Sequence, residues 1–194
     1  MQSVRSRKEE CLDLDEKELV QAASTGNREA FAELYERYLG RVYRYLYYRV
    51  GNSHDAEDLT EQVFLKAWQA MPSYDYRGVP FSAWLYRLAH NLLIDARRAY
   101  RHTCQLDEAL EIEADGMQPD ELAQRREEVR ELSSAVAQLS PVEQSVVVLR
   151  FIAGLDHRTV AGIIDKSEAA TRSIQSRALA RLASLLTPHE RRKP

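Results

Sequence analysis

The chain has 194 residues, 44% hydrophobic and 29% charged, which fits one ordinary or two small globular domains and excludes a disordered chain. No apolar run approaches the roughly 18 residues of a membrane span, and the first residues, MQSVRSRKEECLDLD, lack the apolar core of a secretory signal, so a cytoplasmic protein is expected. The net charge of −3 is unevenly spread. Residues 14–102 carry twelve basic and twelve acidic groups, residues 103–131 three and ten, and residues 132–194 nine and five. A neutral block, an acidic connector and a basic block point to two modules with different tasks.

In chain order, residues 1–14 have no apolar period and are expected to be a disordered tail. The stretch DEKELVQAAS from Asp15 predicts a short helix that stops near Gly26-Asn27. Asn27 then caps a long helix with Phe31, Leu34, Tyr38, Val42, Leu46 and Val50 on one stripe, ending at Gly51-Asn52. Its many tyrosines are read as amphipathic core and rim residues rather than a base-stacking set.

The next helix starts near Ser53 with Asp55, Glu57 and Asp58 in its first turn, where the helix dipole favours acids. Ala56, Leu59, Val63, Ala67 and Ala70 trace its buried side, which leaves Asp58, Glu61, Gln62 and Leu65 on other sides. A solvated acidic face and a protein-docking face are both consistent with that pattern. Pro72, Gly78 and Pro80 punctuate a loop rich in aromatics, and Pro80 suits the start of a third long helix. On that helix Phe81, Trp84, Leu85, Leu88, Leu92 and Ala96 form the apolar side, while Arg87, Asn91 and Asp95 share a polar stripe. Asn91 can read a base edge, because a carboxamide both donates and accepts, or it can bond within its own stripe. Arg97, Arg98 and Arg101 offer charge for phosphates.

Residues 103–124 are expected to form an acidic, flexible linker. A helix at about 125–138 follows, with Val129, Leu132, Val136 and Leu139 on its apolar side. Ser140-Pro141-Val142-Glu143 is a helix start in which Ser caps, Pro takes the first position and Glu reaches back. The helix it opens runs to Gly154. Asp156 caps a short helix, a tight turn follows at Asp165-Lys166, and Ser167 caps a last helix rich in Arg, Gln, Ser and Thr. Two helices joined by so short a turn read as a helix-turn-helix, packed along Val160, Ala161, Ile164, Ile174, Ala178 and Leu182. Thr171, Arg172, Gln175 and Ser176 then point outward toward a major groove, with Arg158, Lys166 and Arg177 near phosphates. A basic solvated helix in a plain bundle is the competing reading.

The five histidines and two cysteines show no metal-ligand spacing, and there is no glycine-rich phosphate loop or nucleophile elbow. The expectation is an all-α protein of two small helical domains that binds nucleic acid and another protein, with no catalytic residues, metal or cofactor.

The strings DAEDLTEQVFLKAWQAMPSYDYRG and FSAWLYRLAHNLLIDARR resemble region 2 of bacterial sigma factors of the extracytoplasmic-function (ECF) group, and LSPVEQSVVVLRFIAGLDHRTVAGIIDKSEAATRSIQSRALARL resembles their region 4. The likeness covers roughly residues 15–102 and 125–186, in the family's order and with no region 3 between. It implies a promoter-specificity subunit of RNA polymerase whose region 2 spans 15–102 and whose region 4 spans 125–187. Asp58, Glu61, Gln62 and Leu65 would dock on the clamp coiled coil of the largest polymerase subunit, and region 4 would meet the flap. Tyr74, Tyr76, Arg77, Phe81, Asn91, Arg97, Arg98 and Arg101 would recognise the −10 element and hold its opened non-template strand. Arg158, Lys166, Ser167, Glu168, Thr171, Arg172, Gln175, Ser176 and Arg177 would serve the −35 element. An anti-sigma factor is a further implied partner.

Two departures stand out. Glu61-Gln62 reverses the common Gln-Glu order, which turns the acid and the amide by about 100° on the helix. Thr171 stands where Val is common, so it either faces DNA or is a slightly polar core residue. The main rival, a helix-turn-helix regulator with an N-terminal interaction or sensing domain, accounts for 125–186 and leaves the 54–101 pattern without a cause.

Overall fold

The computed structural model describes residues 15–75, 80–99 and 119–186, among which there are helices and turns but no strand. The chain divides into two compact units, Met1–Tyr43 with Glu57–His102 and Arg44–Ala56 with Thr103–Pro194. The sequence order alone groups Arg44–Ala56 with the first.

Helix α1, Glu16–Ser24, opens on a capping box. Asp15 Oδ1 accepts the Glu18 N–H at 2.8 Å, and Glu18 accepts the Asp15 N–H at 3.1 Å, so two first-turn donors are satisfied by side chains. Gly26 stops the helix at φ +93°, a left-handed conformation that costs glycine little. Asn27 Oδ1 then takes the Ala30 N–H at 3.0 Å as α2, Arg28–Val50, begins.

In the first unit Leu34, Tyr38 and Val42 of α2 are buried, as are Leu59, Val63 and Ala67 of α3, Ser53–Ala70. Two edge-to-face ring pairs join the helices, Phe31 with Trp68 at 4.8 Å and Tyr35 with Phe64 at 4.6 Å. Such pairs contribute about 0.5–1.5 kcal/mol beyond their buried area. A 3₁₀ turn, Met71–Ser73, ends α3 and packs against α1. Pro80 stands immediately before α4, Phe81–Ala99, whose Phe81, Leu85, Tyr86, Ala89 and Leu93 are buried.

In the second unit α5 spans Pro119–Ala137 and so begins inside the stretch read from sequence as linker. Pro119 is its first residue, a position that proline's fixed φ suits. Helix α6, Pro141–Val147, opens on the second capping box, with Ser140 N–H to Glu143 Oε2 at 2.9 Å. Gln144 is buried, and its amide donates to the Ala137 and Leu139 carbonyls at 3.1 and 3.0 Å, satisfying acceptors freed where α5 ends.

The single helix expected to run to Gly154 instead changes pitch. Val148–Ile152 is a π-helical turn, with Ala153 N–H reaching the Val148 carbonyl at 3.0 Å. Arg150 supports it by donating to the Leu155 carbonyl. The extra residue per turn carries Phe151 to the surface at 54% exposure, which no 3.6-residue period could foretell.

Helix α7, His157–Ile164, and helix α8, Glu168–Leu186, form the helix-turn-helix. Asp165 takes the left-handed cap at φ 54°, and its N–H returns to the Ala161 carbonyl. The packing seam is Val160, Ala161, Ile163, Ile174, Ala178 and Leu182. Ile163 replaces the expected Ile164, which is half-buried. Steps of three and four are both compatible with one helix face, and packing against α8 selects the first.

Candidate polymerase and nucleic-acid interfaces

Helix α3 buries Ala56, Leu59, Val63 and Ala67, and this sets the rest of its surface. Asp58, Glu61, Gln62 and Leu65 are all exposed. Leu65 is 57% exposed, a large apolar side chain beside an acid and an amide, so this face mixes apolar and polar groups. Trp68, at the edge of this face, is half-buried and anchored on Phe31.

Around the start of α4 the aromatics form one set. Tyr74, at the end of the 3₁₀ turn, and Trp84, one turn into α4, are half-buried with ring centroids 4.6 Å apart at 51°. Phe81 lies against both, at 5.9 and 5.4 Å, and is fully buried. Phe81 is therefore corrected from a strand-contacting residue to the floor beneath two that can make contact, because helix α4 turns its first residue inward. Trp84, not Phe81, is the half-buried ring at the start of α4. Its spacing of three from Phe81 was visible in the sequence, but periodicity could not say which ring stays half-open.

Arg87, Asn91 and Asp95 are exposed along one face of α4. Among the described residues the Asn91 carboxamide has no hydrogen-bond partner, so its donor and acceptor are available. Tyr76, Arg77 and Arg101 lie outside the described residues, as do the side chains of Arg97 and Arg98.

In the helix-turn-helix, Arg158, Lys166, Ser167, Glu168, Arg172, Ser176 and Arg177 are exposed. Ser167 Oγ caps α8 by accepting the Ala170 N–H at 3.1 Å, and Arg172 pairs with Glu168 one turn away. Gln175 is half-buried and its side-chain oxygen accepts from Arg150 Nε at 3.2 Å, which leaves its amide as a donor. Thr171 is corrected. It is fully buried, and its hydroxyl donates to the Ser167 carbonyl at 3.0 Å, so it belongs to the core and not to a groove-facing set. A helix hydroxyl can be buried this way because the carbonyl four residues back satisfies it.

The same unit carries an apolar cleft of about 180 Å³ lined by Leu132, Val136, Val147, Phe151, Leu179 and Leu182 among others. Phe151 and Leu179 leave part of their surface open beside it. Among the described residues no group of three His, Cys, Asp or Glu could hold a metal ion, and no helix is long and apolar enough to cross a membrane.

Residues 34–103 match the model of Sigma-70 region 2, and residues 135–184 match that of Sigma-70, region 4. The chain is 37% identical over 171 residues to the ECF RNA polymerase sigma factor BldN of Streptomyces coelicolor, covering 87% of this chain and 65% of BldN. It is 30% identical over 146 residues to the ECF RNA polymerase sigma factor SigW of Bacillus subtilis, covering 70% of this chain and 78% of SigW. The chain belongs to the ECF sigma factors of the sigma-70 family.

This sigma factor spans just under two thirds of the length of BldN, although it spans more of SigW. Among solved structures it is similar to CnrH in complex with the cytosolic domain of CnrY, with a TM-score of 0.69 and 26% identity, over 88% of this chain and 96% of that one. It shares its fold with RpoE of Bartonella quintana, solved with the anti-sigma factor NepR, at a TM-score of 0.67 and 20% identity, over 82% and 98% of the two chains. The all-α, two-module organisation expected of the sigma factor is the one observed.

Proposed function

We propose that the chain binds core RNA polymerase and directs promoter-specific initiation, reading a −35 element with α8 and capturing the opened −10 strand beside α4. The observation that carries this reading is the pairing on one chain of a half-open aromatic set, suited to unstacked bases, with a helix-turn-helix suited to duplex DNA. Asp58, Glu61, Gln62 and Leu65 dock on the clamp coiled coil, and the cleft beside Phe151 and Leu179 takes the flap. Tyr74 and Trp84 stack on a flipped non-template base over Phe81, and Asn91 reads one base edge. Tyr76, Arg77, Arg97, Arg98 and Arg101 complete the −10 surface with phosphate and strand contacts. Arg172, Gln175 and Ser176 enter the major groove with Glu168, while Arg158, Lys166, Ser167 and Arg177 hold phosphates.

Opening DNA costs about 1.4 kcal/mol per stacked step. Strand capture and polymerase contacts supply that free energy, so the protein acts without a cofactor and without catalysing a reaction of its own. It works in the bacterial cytoplasm, and an anti-sigma factor covering its polymerase-facing surfaces is the regulatory partner. The experiment is to add the full chain to core RNA polymerase and assay transcription from a broad promoter library. Specific start sites that depend on the protein support the reading, and no stimulation on any promoter overturns it.

A further inference from the structure

We propose that Glu16, on α1, is a positioning residue for strand capture, holding the start of α4 and the aromatic set in register. The proposal rests on the sigma-factor reading above and goes beyond it. Within α1 the capping box is supplied by Asp15 and Glu18, and Glu16 takes no part in it. It reaches instead across 65 positions of sequence, and Glu16 Oε1 accepts the Phe81 N–H at 3.1 Å. That amide is a first-turn donor with no acceptor within its own helix, and a carboxylate at this end also meets the positive end of the α4 dipole.

The other carboxylate oxygen of Glu16 accepts the Tyr38 hydroxyl. Burial, and then the Glu16 carboxylate, push the Tyr38 hydroxyl well above its usual titration range, so it remains a donor at any physiological pH. The Tyr38 ring in turn stands edge-on to Phe81 at 5.6 Å. One carboxylate thus fixes both the backbone where α4 begins and the ring packed behind Phe81.

Helix α1 also packs on the 3₁₀ turn that delivers Tyr74. Both flanks of the Tyr74–Trp84 pair, the turn before it and the helix start after it, are therefore referenced to α1. Chemically, a stacking platform needs its two rings held at a set separation, and here the polar anchor lies beneath the floor rather than among the rings.

The test reconstitutes holoenzyme with full-length wild type, Glu16→Ala, Glu16→Gln and Tyr38→Phe, on a promoter at which the wild-type holoenzyme initiates. Two quantities are read: affinity for core polymerase, and the fluorescence of 2-aminopurine placed in the −10 non-template strand. Glu16→Ala is expected to lower strand capture about tenfold, the scale of losing a charge-assisted hydrogen-bond pair, with core affinity within about twofold of wild type. Glu16→Gln, which keeps an acceptor for the Phe81 N–H, is expected to restore most of the capture. Tyr38→Phe, which keeps the ring and removes the hydroxyl, is expected to lose about threefold. Combined with Tyr74→Ala, Glu16→Ala should add little, because both act on one platform.

Wild-type capture by Glu16→Ala and Tyr38→Phe overturns the proposal. So does a parallel fall of core affinity and capture that Gln does not restore, which would mark Glu16 as a residue of general stability. If Glu16→Ala does not fold, Tyr38→Phe decides: loss of capture at unchanged core affinity supports the proposal, and unchanged capture overturns it. A wild-type holoenzyme that initiates at no promoter overturns the functional reading first, and this proposal with it.

Discussion

Tyr74 and Trp84 meet at 4.6 Å with Phe81 beneath both, so two half-buried rings from opposite sides of the 74–81 loop share one buried support. Each open ring is expected to contribute about 1–3 kcal/mol to holding an unstacked base. Tyr74→Ala and Trp84→Ala should each weaken holoenzyme binding to a −10 non-template oligonucleotide by that amount, and Tyr74→Phe should cost little. Equal binding by all three would remove the platform from the mechanism.

Asn91→Ala is expected to leave stability within about 0.5 kcal/mol, since the side chain is exposed. It should alter the preference at a single −10 base by about 1–3 kcal/mol. A competition assay across the four bases at each −10 position provides the check, and a flat difference profile would return Asn91 to an ordinary surface role.

Leu65 is an apolar side chain 57% exposed on α3. Leu65→Arg should reduce affinity for core polymerase by about 2 kcal/mol or more while leaving the melting temperature nearly unchanged. Titration of core polymerase with labelled protein separates the two effects. Retained affinity would move the docking face elsewhere.

Thr171 and Arg172 are neighbours with opposite expectations. Thr171→Val removes a hydroxyl bonded inside its own helix and should change −35 binding by less than about 0.5 kcal/mol. Arg172→Ala, at a position exposed on the recognition helix, should cost about 1–3 kcal/mol at one or two −35 base pairs. Binding of −35 duplexes by both variants tests the pair, and a larger loss from Thr171→Val would reverse the orientation of α8.

The second unit should be acid-sensitive through its caps. Hydrogen bonds from the Ser140 hydroxyl and backbone hold the Glu143 carboxyl below its usual range, and those from Thr159 do the same for Asp156. A carboxyl depressed in the folded state contributes stability above its unfolded pKa, about 4, and that contribution is lost as pH falls through the folded value. Ser140→Ala should cost about 0.5–2 kcal/mol at neutral pH. Its gap from wild type should narrow below about pH 4 as Glu143 becomes protonated. Urea unfolding of the full chain from pH 7 to 3 would show this, and a constant gap would argue against the Glu143 contribution.

Five helix starts were legible because they are local. Asp15, Asn27, Ser140, Asp156 and Ser167 each bond a backbone amide three residues ahead or, for Ser140 and Asp15, complete a box with a Glu at that distance. Neighbour chemistry of this kind is written in the order of residues and needs no fold to be read. The two-module order, the helix-turn-helix and the exposed polar stripe of Arg87, Asn91 and Asp95 followed from the same periodicities.

Tertiary structure decided what periodicity leaves degenerate. It sent Phe81 to the floor and left Trp84 half-open, buried Thr171 against the Ser167 carbonyl, chose Ile163 over Ile164, and pushed Phe151 outward through a π turn. It also joined Glu16 to Phe81 and Tyr38, a relation with no trace in the spacing of the three. Capping and amphipathicity act within a turn or two of helix, whereas which side of a stripe is covered depends on neighbours brought close only by folding.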